Sequence, residues 1–140
     1  MLDKATKNKL LIAQRNEITE HFIYKKLSEI VKDKHNKEVL KKISNDELKH
    51  YNFWKKYTKR DVNPDIWKIW KYIFIARVFG LTFGIKLMEK GEEKAQRVYD
   101  KIAKVVPNVK DIIKDEAKHE KELINMIDEE RLRYVGSIVL

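Results

Sequence analysis

The chain has 140 residues, four glycines, two prolines and no cysteine. That length suits one domain with a sizeable core, and without thiols these residues form no disulfide, iron–sulfur cluster, Cys-type zinc site or thiol nucleophile. The formal charge is +9, from 31 basic and 22 acidic residues; the lysines are scattered as on solvated helix faces, with no basic run interleaved with aromatics for base stacking, so no nucleic-acid partner is expected.

Scarce Gly and Pro, with abundant Lys, Leu, Ile, Glu and Ala, predict an all-α protein. A first helix spans about 3–33, with Leu10, Ala13, Glu17, Glu20, Tyr24, Leu27 and Val31 recurring at spacings of three and four along one seam. Its start is amphipathic and does not resemble a signal peptide. A polar break at Lys32–Asn36 is short enough to return a second helix antiparallel. The seam of that helix reads Leu40, Ile43, Glu47, His50, Trp54 and Tyr57.

The stretch Thr58–Asp65, which contains Asn63-Pro64, reads as the crossover between two helical hairpins. A third helix is expected from Asp65 to about Lys104, bent around Gly80 or Gly84, with Val78, Thr82, Ile85, Glu89, Glu92, Gln96 and Tyr99 on its seam. It opens with an apolar run in which Trp67, Trp70 and Phe74 make one stripe. A dimer contact or core packing is the first expectation for that stripe, and a face resting on a membrane interface the second. Beyond Pro107, a fourth helix carries Val109, Ile112, Glu116, His119, Leu123 and Met126 inward. The bundle is therefore assigned to residues 1–134. Residues 135–140 form an apolar tail, expected either to pack on the core or to open a membrane segment.

Chemistry concentrates where the chain repeats itself. Asp46-Glu47-Leu48-Lys49-His50 returns as Asp115-Glu116-Ala117-Lys118-His119, and the same offset of 69 residues carries Glu20 onto Glu89. A Glu and a His three residues apart share one helix face and can reach one point. Glu17, Glu20, Glu47, His50, Glu89, Glu92, Glu116 and His119 all fall on seam positions. Buried carboxylates without partners cost several kcal/mol each, so that many require compensation by cations, and oxygen donors with imidazole suit iron or manganese. His21 and His35 lie off the seam and are expected in solvent. Tyr24 and Tyr99 share the seam, where packing is the first expectation and hydrogen bonding to the acids the second. Asp46 and Asp115 could serve the neighbouring ligands or be solvated.

One Glu from each of two helices and a Glu-x-x-His from each of the other two is the ferritin-like di-iron carboxylate pattern. With Glu89-x-x-Glu92 on the third helix, the chain resembles rubrerythrins over about residues 5–130. The resemblance implies an antiparallel ferritin-like four-helix bundle with Glu20, Glu47, Glu89 and Glu116 as carboxylate ligands, His50 and His119 as imidazole ligands and Glu92 as an additional ligand. Glu17 has no counterpart at the repeat offset, where Lys86 stands, and would replace Glu20 or assist it. The segments Gln14–Glu20, Arg77–Phe83 and Arg133–Leu140 are similar to the domain that precedes vacuolar-iron-transporter-type membrane regions.

These likenesses imply two Fe per chain, with Mn or Zn as substitutes, and Fe(II), O2 or peroxide as partners. They also imply a fused membrane transporter domain and a place in the cytoplasm on the face of a membrane; a homodimer is expected separately, as the commonest closed assembly. The expected function is iron oxidation, or iron sensing and delivery for transport and detoxification. The alternatives are rubrerythrin-like peroxide reduction and a metal-free interaction bundle.

Overall fold

The computed structural model describes the backbone at residues 3–81, 84–86, 88 and 99–139, and side chains within these ranges as far as Asn125. The fold is an all-α ferritin-like bundle built from α1 (Lys4–Ile30), α2 (Lys34–Thr58), α3 (Ile66–Phe79) and α4 (Val109–Val139), with further helical backbone at 84–86 and 99–102. Glu89, Glu92, Thr82, Gln96 and the side chains of Met126 and of the 135–140 tail lie outside the described residues. Among the described residues no helix is long and apolar enough to cross a membrane.

Three aspartates start three helices. Asp3, Asp33 and Asp65 accept from the backbone N–H of Thr6, Asn36 and Lys68 at 2.7, 2.9 and 3.2 Å, satisfying donors that the first turn leaves unpaired. The cap at Asp33 moves the predicted break: α1 stops at Ile30 and α2 already starts at Lys34. α2 ends at Lys59, which adopts a left-handed conformation (φ 54) and donates its N–H to Lys55 O at 2.8 Å.

The crossover that follows is tied along α1. Gln14 Nε2 donates to Arg60 O at 2.7 Å, Tyr51 Oη accepts from Val62 N at 3.0 Å and Thr19 Oγ1 accepts from Asp65 N at 2.9 Å. Thr58 Oγ1 completes the tie by donating to Gln14 Oε1 at 2.6 Å. The loop therefore has fixed backbone partners although it lacks regular structure.

One expectation needs correction at Gly80. A Cβ placed on Gly84 would stand 3.3 Å from Ala76 Cβ, whereas eight residues of continuous helix would separate those positions by about 12 Å. The chain doubles back, so the expected bent helix is a helix, a reversal and a second helical stretch. Gly80 makes the reversal at φ 96, ψ 157, a region open almost only to glycine. Nothing lies within 4 Å of a Cβ built there, so Gly80→Ala isolates the backbone term. It should destabilise the chain by about 2 kcal/mol in urea denaturation, with the helical circular dichroism signal retained.

α3 packs against α1. Ile69, Tyr72 and Ile73 turn inward, while Trp67, Trp70 and Phe74 are 87%, 57% and 63% exposed, which removes core packing as the explanation of that stripe.

Inside, the apolar core divides in two. Tyr24, Leu27, Leu40, Ile43, Ile73 and Leu123 belong to one cluster, and Leu10, Ala13, Trp54, Tyr99, Val109 and Ile112 to the other. Early α1, late α2 and early α4 share one cluster, so α2 runs antiparallel to α1 and α4. Between the two clusters, in chain position along every one of these helices, lie the seam acids and histidines.

Candidate metal centre

α1 contributes Glu17, α2 contributes Glu47 and His50, and α4 contributes Glu116 and His119. Placing an acid on an otherwise apolar seam turns it inward, because the helical period allows it no other direction once its neighbours at three and four residues are buried. Glu17, Glu47, His50 and Glu116 each offer a ligand atom within 4.8 Å of the others. Glu17 and Glu47 are the most deeply buried of them, at 0% and 1% exposure. Glu20, one turn along α1, is half-buried and stands outside this group.

The two repeats pair crosswise. His50 Nδ1 lies 3.1 Å from Glu116 Oε1, and its Nε2 lies 3.0 Å from Asp115 Oδ2. In mirror fashion, His119 Nδ1 lies 3.0 Å from Glu47 Oε1 and its Nε2 lies 2.9 Å from Asp46 Oδ2. The rings stack with centroids 6.1 Å apart. A carboxylate acceptor at each Nε2 fixes a proton there and aims Nδ1 at the interior, where it can serve as a ligand once it carries no proton. His50 Nδ1 also faces Glu17 Oε2 at 3.6 Å and Glu47 Oε1 at 3.8 Å.

Glu17 is held from behind. Tyr99 donates its hydroxyl to Glu17 Oε1 at 2.6 Å, and Trp54 Nε1 donates to the same oxygen over a long 3.4 Å. Burial, then the charges of Glu17, Glu116 and Glu20, hold the Tyr99 phenol well above its usual range, so it remains a donor.

The electrostatics follow from crowding. Burial, followed by the charges of Glu17 and Glu116, pushes Glu47 well above the ordinary carboxylate range. Glu17 is also penalised by burial, but hydrogen bonds from Glu47 and His50 and the His50 charge bring it below its ordinary value. Burial opposes charge on His50 as well; Glu116, Glu17 and Asp115 outweigh it and push the imidazole up to about 11. The cluster thus gathers protons where its carboxylates meet.

Whether these residues suit a metal ion can be judged from their unmatched atoms. Glu17 Oε2, both oxygens of Glu47 and His119 Nδ1 are buried, with no donor among the described residues outside the cluster to satisfy them. Such atoms are costly unless something positive joins them. His119 Nδ1 and Glu47 Oε1 lie 3.0 Å apart while the other imidazole nitrogen faces Asp46, so one proton, or a cation in its place, must sit between them. Carboxylate oxygens with imidazole nitrogens form a donor set for iron, manganese or zinc. The residues fit.

Carboxylates from three helices converging with two imidazoles in mid-bundle define a ferritin-like carboxylate protein. The rubrerythrin family model matches residues 8–127, and the chain belongs to the rubrerythrin family. No curated protein and no solved structure matches it significantly.

Of the residues marked in the sequence, the structure brings together Glu17, Glu47, His50, Glu116 and His119, sets Glu20 aside and leaves Glu89 and Glu92 undescribed. It also corrects His21, which is buried and not solvated: its Nδ1 lies 2.7 Å from Ser44 O, and Ser44 Oγ donates to His21 O at 2.9 Å. α1 and α2 approach closely there, and no seam pattern announces such a lateral bond. His35 is exposed. Asp46 and Asp115, expected either to serve the neighbouring ligands or to be solvated, each meet the histidine of the other repeat; that cross-pairing depends on how α2 and α4 face each other. Asp115→Asn and Asp46→Asn should each weaken metal binding by about 10- to 100-fold with little change in stability of the metal-free chain, read by isothermal titration.

Proposed function

We propose that the chain binds two iron ions in this centre and oxidises Fe(II), as an iron-handling module of detoxification or transport. Glu17, Glu47, His50, Glu116 and His119 would hold the metal, with Glu20, Glu89 and Glu92 as the further ligands that the sequence pattern offers. The observation that carries this reading is the convergence of Glu17, Glu47, His50 and Glu116, each with a ligand atom within 4.8 Å of the others. Bound iron supplies one-electron chemistry toward O2 or peroxide. The protein's own part is to deprotonate, orient and exclude water. Asp46 and Asp115 keep both Nε2 protons in place, Glu47 and His50 give up their protons as cations enter, and the apolar clusters on either side keep bulk water from the layer.

Peroxide reduction with repeated turnover needs a supply of electrons. These residues contain no cysteine, so in a peroxidase cycle the electrons would come from a donor outside them. The test is anaerobic Fe(II) titration, followed by admission of air or peroxide. About two irons per chain and an oxo-bridged ferric band, with oxidant consumed in proportion to iron, are expected. Failure to bind Fe(II), Mn(II) or Zn(II) more tightly than Glu47→Ala would overturn the proposal and leave an interaction bundle.

A further inference from the structure

α3 is apolar on the side it buries and again on the side it leaves open. Trp67, Trp70, Phe74 and Val78 follow one another at helical spacing, and all four are exposed. Ile66 and Phe79 extend the open surface at the two ends of the helix. A continuous exposed stripe carrying two tryptophans marks a contact surface.

Charge decides what the contact is. Ile66–Phe79 contains Lys68, Lys71 and Arg77 and no acidic residue. At about 3.6 residues per turn, Lys71 and Arg77 border the stripe on opposite sides. From α1, Lys26 Nζ stands 5.2 Å from the centre of the Trp70 ring. Pairing this helix with itself about a two-fold axis would set Lys68, Lys71 and Arg77 against the same cations of the second copy. Of the acids described, Asp65 lines the same groove, already accepting from Lys68 N as the helix cap. The complementary occupant is apolar within and anionic at its rim.

We propose that this face of α3 docks on the surface of an anionic lipid bilayer. Trp67, Trp70 and Phe74 seat at the boundary of headgroups and acyl chains, where an amphipathic ring is most favourable. Lys26, Lys71 and Arg77 meet the lipid phosphates, and the net charge of +9 draws the whole chain toward a negative surface. The helix lies in the plane of the interface and does not cross it. None of these residues belongs to the metal cluster, so the surface is tested independently of the iron reading.

The experiment is co-sedimentation of the full chain with phosphatidylcholine–phosphatidylglycerol vesicles, compared with phosphatidylcholine alone. Binding to the anionic vesicles is expected, with brominated acyl chains quenching the fluorescence of Trp67 and Trp70 in the unaltered protein. The combined variant Trp67→Gln, Trp70→Gln, Phe74→Gln should weaken partitioning by about tenfold or more and keep its helical signal, since these side chains are exposed. Absence of binding at low salt overturns the proposal, as does binding without quenching or equal binding by the variant, which would mean general basic attraction. A native dimer that the variant converts to monomer would assign the face to a second copy and overturn it equally.

Discussion

Replacing Glu47 with glutamine should abolish metal binding, by about 100-fold or more in affinity, while leaving the metal-free chain at least as stable as the parent. The carboxyl is fully enclosed, and burial with the charges of Glu17 and Glu116 holds it well above the ordinary carboxylate range. In the metal-free chain Glu47 is therefore an expense to folding. Its folded proton affinity exceeds its unfolded one, so unfolding releases a proton and becomes easier as pH rises above 4.5. His50 adds a loss of the same sign at higher pH. Raised from 6.5 to about 11, it contributes stability that is complete below 6.5 and declines toward 11. Glu47→Gln removes the first slope and retains most of the second, because Glu116, Glu17 and Asp115 still face His50. Melting curves in chelator across pH 5 to about 10, with isothermal titration of Mn(II) or Zn(II), read both halves of the expectation. A variant that binds metal normally, or that melts well below the parent without metal, would remove Glu47 from the ligand set.

The largest stability loss is expected at Trp54→Ala, about 3–5 kcal/mol, a large share of the 5–15 kcal/mol typical of a domain. Trp54 is completely enclosed, with its ring 5.1 Å from Phe53 and 5.6 Å from Tyr99, and its Nε1 reaches Glu17. Truncation opens a cavity in the cluster formed by early α1 and late α2 and loosens the support of Glu17. Urea denaturation of the metal-free chain measures it, with Trp67→Ala as the contrast. That residue is the same in kind but almost fully exposed, and its loss should move stability by no more than about 0.5 kcal/mol. Equal effects at both positions would contradict the packing described.

Much of the centre is legible in the chain because helical period converts sequence spacing directly into direction. Glu17, Glu47, His50, Glu116 and His119 could be marked from their seam positions alone, and the crossover from Asn63-Pro64. What escaped depends on distances between helices. Glu17 and Glu20 are both compatible with the α1 seam, and only the packing of α1 against α2 and α4 sets Glu17 among the other ligand atoms. His21 lay off the seam and yet is buried, because it bonds sideways to Ser44. The reversal at Gly80 was visible as a glycine, but a bend and a hairpin have the same local signature. The distinction lies in the approach of Gly84 to Ala76, a contact between residues no periodicity relates.

The crosswise pairing also speaks to descent. His50 takes its orienting acid, Asp115, from the other repeat, and His119 takes Asp46, so neither motif is complete within its own hairpin. Such reciprocity is what a two-fold assembly produces, each copy lending the other the same residues. A polypeptide of half this length, carrying one Asp-Glu-x-x-His and pairing with a second copy, would already possess both histidine pairings. Duplication and fusion of that ancestor would preserve them in a single chain, and would then free each half to diverge, as Trp54 and its repeat counterpart Leu123 have done.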